Sequence, residues 1–224
     1  MKIYNYKDDT RYVTGQRVKQ DQVRDAWVKE DVIDKLSKYL QENITDIKFG
    51  ICHGARLGDE VYYFNKYLSE STEVIGTELF DYNKSSRRPV ALLNDFAKFT
   101  REGKDVICNW DFHNIKDEWI DNVDFIYTNS FDHSDKPELA LDQWMKCLKK
   151  DGILIVEKTM IGGDEPDRVD CLRASDDEMK QLFNKNYKII EELDIETKYE
   201  TRVRDKYLNL SHTHWIIKHK ESDK

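Results

Sequence analysis

A chain of 224 residues has room for one sizeable core and is short for two ordinary domains. With 39% hydrophobic, 36% charged and 12% aromatic residues, the composition is that of a globular chain with a heavily solvated surface and excludes extensive disorder. A formal net charge of -8 with no long Lys/Arg run repels a phosphate backbone, so duplex nucleic acid is not an expected partner.

No apolar stretch approaches the roughly 20 residues needed to cross a bilayer, and the polar start of the chain lacks the apolar core of a secretory signal. The expectation is a cytoplasmic protein without membrane contact, forming a single domain over 1–224 with an N-terminal helical segment over 1–45 and an α/β core over 46–220. Cys52, Cys108, Cys147 and Cys171 are widely spaced with no C-x-x-C pair. They read as reduced, packed thiols rather than as disulfides or zinc ligands.

In chain order, residues 1–18 carry little periodicity. Asp21 to Glu42 places Val23, Trp27, Val32, Ile33, Leu36 and Leu40 near helical spacing and predicts a leading amphipathic helix. From Ile47 apolar runs alternate with helical patterns: IKFGIC, a helix through Tyr62 to Leu68, EVIG, a helix around Val90 to Thr100, DVICNW, VDFIYTN, a helix from Pro137 to Lys149, and GILIVEK. This rhythm predicts a mostly parallel sheet with helices on both faces. The continuous apolar runs fit strands buried on both sides. A Gly-rich acidic loop, TMIGGDEPDR, follows as a lid or an insertion. The chain closes with a helix from Ser175 to Lys185 and two further strands, KIIEELDI and THWIIKH.

In open α/β sheets ligands bind beyond the carboxyl ends of the strands, so the residues after each strand carry the functional reading. After the first comes GICHGARLGDE, with Gly50, Gly54 and Gly58 at intervals of four and His53 among them. It is a site where backbone approaches a ligand, or a tight turn. The G-x-G-x-x-G of dinucleotide binding is missing. Glu78 ends the second strand about 20 residues further on, where a carboxylate can accept hydrogen bonds from both ribose hydroxyls, or stands as a solvated acid. After the third, Asp111 between Trp110 and Phe112 suits an adenine amino group and ring, although such aromatics also serve as core. After the fourth stand Asn129, Ser130, Asp132 and His133, where a reacting group would sit.

The stretch VDFIYTNSFDHSDKPELALDQWMKCLKKDGILIVEKT resembles class I S-adenosylmethionine-dependent methyltransferases: a strand, a polar loop with His, a helix, and a Leu-Lys-Lys-Asp-Gly turn into an apolar strand. The resemblance spans about Ile47 to Lys158. It implies a doubly wound, mostly parallel seven-stranded sheet with an antiparallel final strand, and S-adenosylmethionine as cofactor. It makes Gly50, Gly54 and Gly58 the loop under the methionine part, Glu78 the ribose acid, and Asp111 and Phe112 the adenine contacts. His53, Asn129 and Ser130 join them as cofactor neighbours. The usual tighter G-x-G-x-G, with an acid before it, is replaced here by Lys48 or Phe49 at that strand position.

A sulfonium carries an activated methyl group, so the protein chiefly holds donor and acceptor in line and excludes water. His133 is the candidate base for an oxygen or nitrogen of a small-molecule or sugar-like acceptor, or else it orients its loop. His212 and His214 alternate along the last strand and read as surface or sheet packing, not metal ligands; no metal is expected. Two alternatives are a binding module that keeps the cofactor without turnover, and a nucleotide-linked oxidoreductase, against which the glycine spacing counts. The oligomeric state is left open by the sequence.

Overall fold

The computed structural model describes residues 1–6, 11–12, 28–56, 58–79, 106–158, 165–168, 170–203 and 206–220, with side chains described except at 197–203 and 206–211. The helix expected at 90–100, Val23, Trp27 and residues 159–164 of the Gly-rich loop lie outside the described residues.

Seven strands form one sheet: β2 (Phe49–His53), β3 (Glu73–Glu78), β4 (Ile107–Asn109), β5 (Val123–Thr128), β6 (Leu148–Glu157), β8 (Tyr187–Val203) and β9 (Lys206–His219). Their order is β4-β3-β2-β5-β6-β9-β8. Pairings among β2 to β6 are parallel, and β9 runs antiparallel to both β6 and β8. The expected mostly parallel sheet with an antiparallel final strand is therefore present. Strand order reverses beside β2, which pairs with β3 on one side and β5 on the other, so the crevice of the switch point opens at their carboxyl ends.

Helices α1 (Glu30–Asn43) and α2 (Asp59–Tyr67) cover one face; α3 (Pro137–Cys147) and α4 (Asp176–Asn186) cover the other. In α1 the buried Val32, Ile33, Leu36, Ser37 and Leu40 make one helical stripe. The four apolar residues pack in a core with Cys52, Phe125, Tyr127, Ile153, Ile155 and Ile216 of the sheet. Truncating fully buried Leu36 to Ala removes a central contact of that core, at a cost of about 2 to 5 kcal/mol. The opposite core joins Ile51, Ile126, Leu154, Val156 and Ile217 to Trp144 and Met145 of α3 and Phe183 of α4. Pro137 starts α3, where its missing N–H costs nothing. Ser175 and Glu178 close a capping box on α4.

Asp124 ties the amino ends of the central strands together. One oxygen accepts from the amides of Lys48 and Phe49 at 2.8 and 2.9 Å, and the other from the Lys149 ammonium at 2.7 Å.

The structure departs from the sequence reading at three places. Helix α3 ends at Cys147 because Leu148 turns extended and buries itself beside Val123. Strands β8 and β9 run well past the expected segments as a long antiparallel pair. A second, two-stranded sheet joins β1 (Lys2–Ile3) to β7 (Leu172–Arg173).

Candidate functional site

The turn between β2 and α2 is held in an unusual backbone shape. Gly54 (φ 70°), Arg56 (φ 42°) and Gly58 (φ 81°) all adopt positive φ within five residues, and Gly58 caps α2 in the left-handed conformation. A side chain at Gly54 would be strained by that φ, and its Cβ would stand 2.6 Å from Ser130 Cβ. Ser130 Oγ donates to the Gly54 carbonyl at 3.3 Å, so the loop after β5 closes directly onto the glycine turn across the switch-point crevice. Asn129 accepts from the same hydroxyl at 3.1 Å.

Glu78 completes this turn from the neighbouring strand. Its carboxylate accepts the amide of Arg56 on Oε2 at 2.9 Å and that of Leu79 on Oε1 at 2.7 Å, and the side chain is buried.

Asp111 Oδ1 accepts from the His113 amide at 2.9 Å and bonds its Nδ1 at 2.7 Å, while His113 Nε2 meets Ser134 Oγ at 2.8 Å. Burial pushes the Asp111 carboxyl up, but its bonds to His113 outweigh this and hold it below the ordinary range. His113 thereby bridges the loops after β4 and β5. The sequence reading missed it, although it stands two residues from Asp111 in the same DFH run.

Three further residues expected at the cofactor are packed within the fold. Gly50 lies within β2 beneath the Phe125 ring, which an added Cβ would approach to 2.2 Å. His53 is fully buried, stacks on Trp144 with ring centroids 4.9 Å apart, and bonds Thr77 Oγ1 at 2.8 Å. Burial, with His113 nearby, drives its pKa down to about 3, so it is a neutral core group. Phe112 is buried edge-on against Trp144, whose indole N–H donates to the Phe112 carbonyl at 2.8 Å.

His133 follows β5. Its carbonyl accepts from the Tyr12 hydroxyl at 3.0 Å and the Cys171 thiol at 2.9 Å, so three distant parts of the chain meet there. Its ring nitrogens lie 3.8 Å from carboxylate oxygens of Asp132 and Asp170. These three side chains place ligand atoms within 4.8 Å of one another, a spacing that admits a cation; Arg173, 3.4 Å from the other Asp170 oxygen, already supplies a positive charge. Burial above all, then Cys171 and the carboxylates Asp111, Asp135 and Glu78, push the Tyr12 phenol up.

A second polar group lies further along the same strand ends, on the α1–α2 face. Glu157 accepts from the Tyr127 hydroxyl and from His212 Nδ1, each at 2.6 Å, and His214 Nε2 lies 3.7 Å away. Burial raises the Glu157 carboxyl, yet these partners prevail and hold it down to about 2. Glu60, at the start of α2, feels both Glu78 and Glu157, and burial raises its carboxyl well above the ordinary range.

No protein-family model matches the sequence, and no curated protein does. Solved structures do match. A Burkholderia thailandensis 1,6-didemethyltoxoflavin-N1-methyltransferase with bound 1,6-didemethyltoxoflavin and S-adenosylhomocysteine superposes with a TM-score of 0.65 at 14% identity, over 97% of this chain and 93% of that one. The fold is that of a class I methyltransferase. A SAM-dependent methyltransferase from Aquifex aeolicus matches with a TM-score of 0.52 at 15% identity, over 85% of this chain and 98% of that one. The [4+2]-cyclase SpnF matches with a TM-score of 0.54 at 16% identity, over 84% and 73%. Reaction class therefore has to be argued from the site. Among the described residues no helix is long and apolar enough to cross a membrane.

Proposed function

We propose that this methyltransferase-fold chain is an S-adenosylmethionine-dependent methyltransferase acting on an oxygen or nitrogen of a small-molecule acceptor. The observation that carries the reading is the closure of the positive-φ glycine turn by Glu78 from one side and Ser130 from the other, at the switch point of the sheet.

The residues present fit the cofactor. Glu78, at the end of β3 beside the glycine turn, would meet the two ribose hydroxyls, and Asp111 has a second carboxylate oxygen for the adenine amino group. Gly54, Gly58, Asn129 and Ser130 frame the methionine end, and His133 borders the reacting centre. When bound, S-adenosylmethionine supplies a methyl group activated for transfer by its positive sulfur. The chain's part is to align the two partners and keep water out.

The test is release of S-adenosylhomocysteine from S-adenosylmethionine in the presence of small hydroxy and amino compounds. Turnover that falls at least about tenfold in Glu78→Gln supports the reading. Specific binding of a nucleotide without adenosylmethionine affinity opposes it.

A further inference from the structure

Asp111 and His113 stand two residues apart in the loop after β4, and that loop borders the crevice. The Trp110 amide donates to the Glu78 carbonyl at 2.8 Å, which sets Asp111 just beyond the end of β3. A Cβ added to Gly54 would stand 3.9 Å from the ring of Phe112, so the same loop abuts the glycine turn. There Asp111 keeps 35% of its side chain exposed, whereas His113 keeps 4%.

The hydrogen bonds through His113 run in one direction. A carboxylate only accepts, so at 2.7 Å from Asp111 Oδ1 the His113 Nδ1 is the donor, and in the neutral imidazole the lone pair then lies on Nε2. The fully buried Ser134 hydroxyl donates to that lone pair at 2.8 Å and itself accepts from the Lys136 amide at 3.3 Å. Asp135 Oδ1, 3.5 Å from Nε2, is too far for a good hydrogen bond and leaves Ser134 as the partner. Phe112 and Tyr12 pack on the ring with centroids 4.7 and 5.6 Å away. The His113 amide adds a second bond to Asp111 Oδ1 at 2.9 Å.

This arrangement decides what Asp111 offers a ligand. Oδ1 is taken by two donors of one residue, and Oδ2 makes no hydrogen bond among the described residues. Two donors on one oxygen favour the ionised carboxyl over the acid, in keeping with its position below the ordinary range despite burial. An ionised Oδ2 accepts and never donates. An exocyclic amino group satisfies it, while a carbonyl oxygen in the same place sets lone pair against lone pair and leaves both unpaired.

We infer that His113 is a positioning residue that sets base specificity: by holding Asp111 Oδ1 it keeps Oδ2 a pure acceptor toward the crevice, so the chain selects a 6-aminopurine nucleoside over a 6-oxopurine one. The inference deepens the methyl-transfer reading and rests on it. His113 acts through Asp111, and Ser134, from the loop after β5, fixes which of its nitrogens carries the proton.

The test compares the affinities of the full chain for S-adenosylhomocysteine and S-inosylhomocysteine, which carries an oxo group in place of the amino group. Wild type should prefer the adenosyl compound about a hundredfold. His113→Leu removes the side-chain donor and should cut that preference to about tenfold. His113→Asn sets an amide nitrogen at the place of Nδ1 and should restore it. A merely structural role would weaken both compounds alike and leave the ratio unmoved. Imidazole nitrogen NMR of the wild type reads the same arrangement without any variant: His113 Nδ1 should appear protonated and Nε2 bare. A wild-type ratio near one, an unchanged ratio in His113→Leu, or a bare Nδ1 overturns the inference. Failure of the well-folded wild type to bind either compound overturns the methyl-transfer reading instead.

Discussion

Glu78 holds the amide of Arg56 at 2.9 Å, and this bond fastens the glycine turn after β2 to the end of β3. Replacing Glu78 by Ala strips an acceptor from the Arg56 and Leu79 amides together. We expect a loss of about 1 to 3 kcal/mol in folding stability, measured as a lower urea midpoint with an unchanged slope.

Gly54 and Gly50 should separate ligand contact from packing. Gly54→Ala meets a positive φ and the Ser130 side chain, so stability falls by about 1 to 3 kcal/mol and S-adenosylhomocysteine affinity falls with it. Gly50→Ala drives a methyl group into the Phe125 ring. It should lower stability while the folded fraction binds with wild-type affinity, which calorimetry on both variants at low temperature would check.

His53 predicts an acid-side loss of stability. Its folded pKa of about 3 lies below the ordinary 6.5, so the unfolded chain binds a proton that the folded chain refuses. The stability this provides is complete above 6.5 and declines as pH falls toward 3. Between about pH 7 and about pH 5 the decline should amount to about 2 kcal/mol, and His53→Phe, which keeps a ring against Trp144, should flatten it. Glu157 adds a similar loss at lower pH, between the ordinary 4.5 and about 2.

Asp124 is a purely structural carboxylate by position, at the amino end of β5 and opposite the site. Asp124→Ala leaves the amides of Lys48 and Phe49 without their acceptor, and should cost about 1 to 3 kcal/mol. Thermal unfolding of the variant, with S-adenosylhomocysteine binding intact below the transition, is the expected result.

The central strands were legible because burial on both faces writes them as unbroken apolar runs such as VDFIYT and GILIVE. The glycine turn and Glu78 were legible for a related reason: strand ends locate the crevice before any contact is known. The β1–β7 pair was not, since two-residue strands have no period. The extension of β8 and β9 was missed because its residues, TKYETRV among them, are polar and charged, and backbone pairing there has no apolar signature. Gly50, His53 and Phe112 were read as ligand contacts from their neighbours in sequence. Their side-chain environments are set by Phe125 and Trp144, which are distant in sequence. The Glu157–His212 pair spans 55 residues and depends on the β6–β9 register, which no local pattern encodes.

The most direct measurement of the central claim is calorimetric titration of the folded full chain with S-adenosylhomocysteine. Saturable one-to-one binding, weakened about tenfold or more in Glu78→Gln, is the predicted result. A well-folded wild-type chain that takes up no S-adenosylhomocysteine contradicts the account.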